Sequence, residues 1–410
     1  MPSPTRSPAE IALPAESGAA PGPAGVAREL AGPLADPALG VRVDVAVLDA
    51  TTGTSLYDRG GNVAVVPAST AKLFTAAAAL RALGPDRRLE TRVVAAGTIA
   101  NGVLTGDLVV VGGGDPTLTA ANGPAPYPQP ARLVDLARQV RAAGITKVSG
   151  GVVVDTTLFG TPGLGPGWKP TYVTEGSVVP VTAFEVDPDR DARPDLAGAT
   201  LLRDALRKAG VAVGNAVRRG PAPPTATEVA KVESPPVAAL VEWLLTRSDN
   251  DLAEALARHV AIARGLRTDF AGAAAAVAAT VRELGLTAPA LVDGSGLSPR
   301  DRVTPAQLVA LLALATRDAS MAPLVQGLPI AGFTGTLATR YTKGPATRAA
   351  GRVRAKTGSL DNVATLAGVV ETRSGRLLLF AFAADRLPTK FVSAAAKALD
   401  VAATALADTI

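Results

Sequence analysis

The sequence contains no cysteine and, among its 410 residues, a single histidine, His259. Without cysteine there can be no thiol nucleophile, disulfide or iron–sulfur cluster. Zinc cages built from several cysteine and histidine ligands are also excluded, and a Ser-His-Asp triad would have to use His259. We interpret His259 as a surface or structural residue, and the sequence predicts no metal site and no cofactor.

Aromatic residues are scarce, at 3% of the chain, and the 41 basic side chains nearly balance the 36 acidic ones. So few aromatics offer no stacking platform for single-stranded nucleic acid, and we expect no nucleic-acid partner. The uncharged apolar stretches at 270–281 and 308–316 are shorter than the roughly 20 residues of a membrane-spanning helix. With 48% hydrophobic residues, the chain is expected to form a globular protein of two or three domains without a membrane span.

The composition of the sequence and its pattern of apolar residues change along the chain, and these changes predict the domain organisation. Residues 1–25 are rich in proline, alanine, serine and glycine and are interpreted as a disordered linker. Strand-like runs punctuated by glycine alternate with helical patterns over residues 91–235, which predicts an inserted α+β domain. The flanking residues 26–90 and 236–410 are predicted to form one catalytic domain, whose sheet is assembled from both ends of the chain.

A serine and a lysine lie three residues apart in the sequence Ser69-Thr70-Ala71-Lys72. The apolar residues that follow recur at helical spacing, so Ser69 is expected to open a buried helix. Three residues advance a helix by about 4.5 Å and nearly one turn, so the two side chains can share a hydrogen bond. A lysine that is desolvated or lies beside another cation loses its proton readily, and could then deprotonate the serine.

Two further triplets, each present once, complete a pattern with this pair. They are Ser248-Asp249-Asn250, between two helical patterns, and Lys356-Thr357-Gly358, which Ser359 follows on a late strand-like run. Lys356 is the candidate second cation, and a glycine on a strand allows a ligand to approach the backbone closely. In this order, S-x-x-K, S-D-N and K-T-G are the signature of penicillin-binding proteins and serine β-lactamases.

From about residue 40 onwards, the chain resembles the class C low-molecular-mass penicillin-binding proteins, a family of D-alanyl-D-alanine carboxypeptidases and endopeptidases. Besides the three motifs, the resemblance rests on segments at residues 67–70, 113–118, 293–298 and 334–337, which follow the family's order. It implies an α+β fold of the penicillin-recognising, serine transpeptidase-like type. In that fold an antiparallel sheet packs with helices and a helical subdomain, and an α+β domain is inserted between the first two motifs.

The resemblance also implies catalytic roles for five side chains. Ser69 would be the acylated nucleophile and Lys72 its base. Ser248 would relay a proton to the leaving amine, Asn250 would hold the substrate amide, and Lys356 would supply positive charge.

Substrate binding is implied for a second set of residues. Thr357 and Ser359 would bind the terminal carboxylate beside Gly358, and the backbone N–H groups of Ser69 and Ser359 would form the oxyanion hole. In the inserted domain, Asp155 is the candidate to meet the amine of a stem peptide.

These roles imply a serine DD-peptidase that hydrolyses D-Ala-D-Ala ends or D-amino-acid cross-links of peptidoglycan stem peptides through an acyl-enzyme. β-Lactams would be covalent inhibitors. Because peptidoglycan lies outside the cytoplasmic membrane, the resemblance implies an extracytoplasmic location, in the periplasm, in the cell wall or secreted, with an export signal or anchor upstream of the linker.

Two alternatives remain open, a β-lactamase-like hydrolase and a non-catalytic peptidoglycan-binding scaffold. Class A β-lactamases deacylate with a glutamate and a water, and their pattern places an asparagine shortly after that glutamate. No asparagine occurs between residues 251 and 361, which disfavours the first alternative. Retention of all five catalytic candidates disfavours the second.

Overall fold

The computed structural model describes residues 18–123, 127–160, 163–186, 191–388 and 391–410. Its strands are β1 (Asp44–Asp49), β2 (Ser55–Arg59), β3 (Glu90–Ala100), β4 (Val103–Val111), β5 (Lys147–Val148), β6 (Val152–Asp155), β7 (Val217–Arg219), β8 (Thr227–Glu233), β9 (Val353–Leu360), β10 (Val363–Glu371) and β11 (Leu377–Ala384). Its α-helices are α1 (Pro23–Ala31), α2 (Lys72–Leu83), α3 (Leu133–Ala142), α4 (Pro194–Lys208), α5 (Val237–Arg247), α6 (Asn250–Ala263), α7 (Phe270–Glu283), α8 (Pro305–Arg317), α9 (Ala322–Gln326) and α10 (Val392–Asp408).

The first sheet joins the two ends of the chain, as expected from the sequence. It is antiparallel throughout, with the order β2-β1-β11-β10-β9. The central strand β11 has the sequence LLLFAFAA, and every residue in it is buried. A continuous apolar run of this kind indicates a strand that is covered on both faces.

Helices cover both faces of this sheet. On one face, Leu379 and Ala381 of β11 join a core with α2, α5, α6, α7 and α8. On the other face, Phe380 and Phe382 join a core with α1 and α10. The alternation follows from the pleat, which points successive side chains to opposite faces.

Helix α2 runs through the centre of the helical group, and its residues 72–80 are all buried. Four consecutive alanines, residues 76–79, keep it thin enough for α5, α6 and α7 to approach closely. No single described helix is long and apolar enough to cross a bilayer. Helices α8 and α9 meet that criterion only as a pair bent by 112°.

A second sheet contains strands from the middle of the chain in the order β7-β6-β4-β3-β8, with β5 beside β4. Strand β3 pairs antiparallel with β4 and β8, whereas β4, β6 and β7 are parallel neighbours. Helices α3 and α4 form the crossovers that parallel strands require, and they pack on one face of the sheet.

The chain enters and leaves this region at neighbouring points. Leu89 and Ser234 exchange two hydrogen bonds of 2.9 Å, immediately before β3 and after β8. These positions agree with the boundaries drawn at 91 and 235, although the division into domains stays a prediction. Residues 1–17 of the predicted linker lie outside the described residues, and α1 begins at Pro23, inside its predicted range.

Candidate active site

The three sequence motifs meet where α2, the α5–α6 junction and β9 come together. Ser69 lies in a short 3-10 turn, Ala68–Ala71, that leads directly into α2. Ala68 has φ = 47°, a left-handed conformation that is strained for a residue with a side chain. The strained residue thus lies immediately before the half-buried serine.

The Lys72 amine is completely buried and is surrounded by three acceptors. Its Nζ donates to Ser69 Oγ at 2.9 Å, to Asn250 Oδ1 at 2.6 Å and to the backbone oxygen of Ser295 at 2.6 Å. The predicted contact between Ser69 and Lys72 is therefore present. Ser295 was not predicted to contribute to the site.

The S-D-N motif is a helix-to-helix junction. Ser248 ends α5 in the left-handed conformation, with φ = 59° and ψ = 39°. Asp249 caps α6 by accepting a hydrogen bond from Leu252 N, and Asn250 is the first residue of that helix. This sharp reversal directs Ser248 towards Lys356 and Asn250 towards Lys72.

The second lysine, Lys356, is also completely buried, and it contacts the remaining catalytic candidate. Its Nζ donates to Ser248 Oγ at 2.8 Å and to the backbone oxygen of Thr357 at 2.9 Å. The structure thus brings all five catalytic candidates into two hydrogen-bonded groups, one around each lysine. Their catalytic roles remain predictions.

The residues after Lys356 form the rim of the site. The hydroxyl groups of Thr357 and Thr336 are 2.8 Å apart, which connects β9 to the segment at 334–337. Ser359 is exposed, whereas Gly358 is buried. A Cβ atom on Gly358 would lie 2.2 Å from Thr365 Oγ1 and 3.1 Å from Ser69 N, so the strand passes directly beside the nucleophile.

Burial is the main influence on the Lys72 amine and lowers its pKa to about 8. The charges of Asp293, Glu254, Asp249 and Asp251 oppose this effect. A substantial fraction of Lys72 is therefore neutral just above neutral pH, as a general base requires.

Burial, followed by the charge of Lys72, lowers the pKa of Lys356 well below its usual value. From the sequence, Lys356 is interpreted as the second cation, whose charge would lower the pKa of Lys72. In the structure, burial is the main cause of the lowered pKa of Lys72, and the four carboxylates oppose it by stabilising the proton on the amine.

The position of Gly358 leads to a testable prediction. A Gly358→Ala substitution should slow acylation of Ser69 by about tenfold to a hundredfold, because the new methyl group must displace the Thr365 side chain and the Pro67 carbonyl group, which lies two residues before Ser69. The measurement is the rate of covalent labelling by a fluorescent penicillin, with the melting temperature recorded for each variant. Gly32→Ala is the control, since nothing lies within 4 Å of its Cβ position. Equal labelling rates for both variants would contradict the prediction.

Asp155, the substrate-binding candidate in the predicted inserted domain, forms hydrogen bonds with other residues of the same region. One carboxylate oxygen accepts hydrogen bonds from Thr157 N and Thr157 Oγ1, and the other accepts one from Ala222 N. The side chain is buried at the end of β6. These contacts hold the carboxylate next to the adjacent loops, and its role in binding the amine of a stem peptide stays a prediction.

His259 lies on α6, and its contacts agree with its interpretation as a structural residue. Its Nε2 is 3.3 Å from the backbone oxygen of Gly114, and its ring meets the edge of Phe159. Burial lowers the pKa of this imidazole to about 4, so it is neutral near pH 7.

The segment at residues 293–298 contributed to the family resemblance, but the sequence did not predict that its turn would contact Lys72. The Asp293 carboxylate accepts hydrogen bonds from the backbone N–H groups of Ser295, Gly296 and Ser298, and from Trp168 Nε1. Glu254, on α6, accepts from the N–H groups of Gly294 and Ser295. The turn therefore presents the backbone oxygen of Ser295 to Lys72.

Part of the second region, residues 163–183, also reaches the site. Asn250 Nδ2 donates to the backbone oxygen of Ser177 at 2.7 Å, and Asp251 accepts from Val179 N at 2.9 Å. Lys169 forms an ion pair with Asp361, which follows β9. The bond to Ser177 orients the Asn250 amide, with its oxygen towards Lys72, and a sequence pattern gives no signal for any of these contacts.

Comparison with known proteins decides the family. The family described as D-Ala-D-Ala carboxypeptidase 3 (S13) matches residues 26–193 and 189–406. The chain belongs to this family. Membership confirms the resemblance derived from the motifs, together with the expected class of enzyme, a serine-type D-Ala-D-Ala carboxypeptidase.

Individual relatives agree with this assignment. A protein named carboxypeptidase from Mycobacterium tuberculosis is 39% identical over 386 residues, which cover 90% of this chain and 81% of that protein. A D-alanyl-D-alanine carboxypeptidase from Actinomadura is 32% identical over 440 residues, covering 84% of this chain and 78% of that protein.

A solved structure supports the fold. Penicillin-binding protein 4 from Haemophilus influenzae superimposes with a TM-score of 0.77 and 24% identity, over 91% of this chain and 98% of that chain. This similarity confirms the predicted α+β, penicillin-recognising fold.

Proposed function

We propose that this S13-family carboxypeptidase hydrolyses the terminal D-Ala-D-Ala bond, or a D-amino-acid cross-link, of peptidoglycan stem peptides through an acyl-enzyme on Ser69. The proposal depends above all on the buried Lys72 amine, which is hydrogen-bonded to Ser69 Oγ at 2.9 Å. With the pKa of this amine lowered to about 8, Lys72 can accept the hydroxyl proton as Ser69 attacks the carbonyl carbon.

The second hydrogen-bonded group suits the leaving amine. Ser248 Oγ lies 2.8 Å from Lys356 Nζ, so a proton can pass from that lysine through the hydroxyl group to the departing nitrogen. The N–H groups of Ser69 and Ser359 are the candidate oxyanion donors, and β9 passes beside Ser69 as this role requires. Thr357 and Ser359 are the candidate ligands of the terminal carboxylate.

Penicillin labelling tests this function. A labelled penicillin should become covalently attached to the protein, and mass spectrometry of a digest should place the label on Ser69. Ser69→Ala is the control and should remain unlabelled. A folded parent protein without label would contradict the proposal and favour the scaffold alternative.

The rate at which the protein hydrolyses a β-lactam distinguishes the proposed peptidase from the β-lactamase alternative. A DD-peptidase should release hydrolysed β-lactam slowly after one equivalent has reacted, whereas a β-lactamase would hydrolyse a chromogenic cephalosporin continuously. We expect the first result, and purified muropeptides should lose a terminal D-Ala or a cross-link. The related Haemophilus influenzae protein has been solved in complex with a β-lactam.

The proposed substrate also implies where the protein works. Family members act on peptidoglycan, so we propose an extracytoplasmic location for the native protein. Fractionation of the native host should place it outside the cytoplasmic membrane, and its recovery only in the cytosol would contradict this proposal.

A further inference from the structure

The environment of Lys72 leaves only one way for the neutral amine to act as a base. A neutral amine has two N–H groups and one lone pair, whereas the amide oxygen of Asn250 and the backbone oxygen of Ser295 can only accept hydrogen bonds. Both lie 2.6 Å from Lys72 Nζ. Once they take the two N–H groups, the lone pair must face the third neighbour, Ser69 Oγ. The productive direction of proton transfer thus depends on where these two oxygens are held.

A single helix controls both oxygens. Asn250 is the first residue of α6 and supplies one of them directly. Glu254 lies one turn further along α6, and its Oε1 accepts hydrogen bonds of 2.9 Å from both Gly294 N and Ser295 N. These bonds hold the peptide unit that precedes the Ser295 carbonyl group.

Glu254 is unusual because it is fully buried and has no part in the catalytic groups described above. Its Oε2 accepts a hydrogen bond of 3.1 Å from Arg258, which is itself 3% exposed and stacks on the Phe270 ring. Buried ion pairs seldom add to stability compared with apolar residues of similar volume. The hydrogen bonds to residues 294 and 295 therefore offer a more specific reason for a carboxylate here.

We propose that Glu254 is a positioning residue for the general base, which holds the Ser295 carbonyl group against Lys72 so that the lone pair of the neutral amine faces Ser69. The inference rests on the proposed acyl-enzyme function. Asp293 holds the other end of the same turn through the N–H groups of Gly296 and Ser298. Glu254 is the residue that links the turn to the helix bearing Asn250.

The proposal concerns the acceptor oxygen of Glu254 and not its charge, and a pair of double variants separates the two. Glu254→Gln with Arg258→Met removes both charges but keeps an oxygen that can accept from Gly294 and Ser295. Glu254→Leu with Arg258→Met removes the same charges and the acceptor, at nearly the same side-chain volume. In both proteins the ion pair is lost as a whole, so no buried charge remains without its partner.

The readout is the first-order rate of acylation by a saturating labelled penicillin, measured at the pH of maximal rate of each variant. We expect the Gln/Met protein to acylate within about threefold of the parent, and the Leu/Met protein at least about tenfold more slowly, with the concentration for half-saturation little changed. A loss confined to the first-order rate indicates misplacement of the reacting groups. Equal rates in the two double variants would overturn the positioning role.

A second variant keeps the test decisive if the Leu/Met protein does not fold. Glu254→Asp retains the charge beside Arg258 but withdraws the acceptor by one methylene group, and it should also acylate about tenfold more slowly. A parental rate in a folded Glu254→Asp protein would equally overturn the proposal. If the parent itself is not labelled on Ser69, the proposed function fails, and this inference fails with it. A labelled parent with equally fast variants contradicts only the inference.

Discussion

Replacing Lys72 with arginine should slow the acylation of Ser69 by about 10³-fold to 10⁴-fold at neutral pH, the upper part of the range for loss of a general base. A guanidinium group keeps the positive charge but does not deprotonate in this pH range, so it cannot accept the serine proton. The buried lysine, in contrast, has a pKa lowered to about 8 and is partly neutral near physiological pH.

Three acceptors surround Lys72, and an arginine can donate to all of them. The variant therefore separates the ability to lose a proton from the ability to donate hydrogen bonds. The rate of penicillin labelling is the measurement, and the melting temperature shows whether the larger side chain is accommodated. Lys231→Arg is the matched control, because Lys231 lies on β8 in ion pairs with Glu90 and Glu233.

The expected outcome is a folded Lys72→Arg protein that hardly reacts and a Lys231→Arg protein that reacts like the parent. If Lys72→Arg acylates as fast as the parent, Lys72 is not the base. The proton of Ser69 would then have to leave by another route, and the positioning role inferred for Glu254 would lose its purpose.

Residues whose relation is local were predicted correctly. Ser69 and Lys72 are three positions apart at the start of a helix, so helical geometry alone brings them together. The first sheet is built from both ends of the chain, as predicted.

The hydrogen-bond acceptors of Lys72 could not be predicted from local sequence. The contact with Asn250 joins residues 178 positions apart, and the family resemblance gave Asn250 only a role in holding the substrate amide. The contact with the Ser295 oxygen is made by a backbone atom, which every residue possesses, so no pattern of side chains predicts it. Glu254 escaped notice because a glutamate within a helical pattern is usually exposed, and only the tertiary structure shows that this one is buried.

The role of Asp155 in binding an amine stays a prediction, because the structure shows a second use for the same side chain. An acidic residue at the end of a strand in the inserted domain suited a role in binding an amine, but a carboxylate in this position can also hold the adjacent loops. Here its oxygens accept hydrogen bonds from Thr157 and Ala222. Sequence alone does not distinguish the two uses, because both require the same side chain next to a turn.

Removing the second lysine should have the next largest effect. Lys356→Ala is expected to lower the second-order rate of acylation by carboxylate-bearing β-lactams by about 10²-fold to 10³-fold, since a preorganised donor beside the reacting groups is lost. Lys356→Arg is the control, because it keeps a cation and should retain partial activity if the longer side chain fits. Parental kinetics in a folded Lys356→Ala protein would contradict a role for this lysine.

The pH dependence of Lys356→Ala gives a sharper test of how the lysines share their protons. In the free protein, four carboxylates favour the proton on Lys72, whereas burial and the charge of Lys72 disfavour one on Lys356. A ligand carboxylate bound at Thr357 and Ser359 will favour protonation of the Lys356 amine. The two amines repel each other when both are charged, so that event will lower the pKa of Lys72 and release its proton.

The sign of the expected shift follows from this coupling. The second-order rate reports groups of the free protein, and its acidic limb should lie near the Lys72 pKa of about 8. The rate at saturation reports the complex, and its acidic limb should lie lower, because the ligand carboxylate has made Lys356 a cation. In Lys356→Ala this cation is missing. The acidic limb of the saturated rate should therefore move to higher pH, until it coincides with the acidic limb of the second-order rate. If the acidic limb of the saturated rate in Lys356→Ala instead stays at the parental pH, then Lys72 loses its proton without help from Lys356.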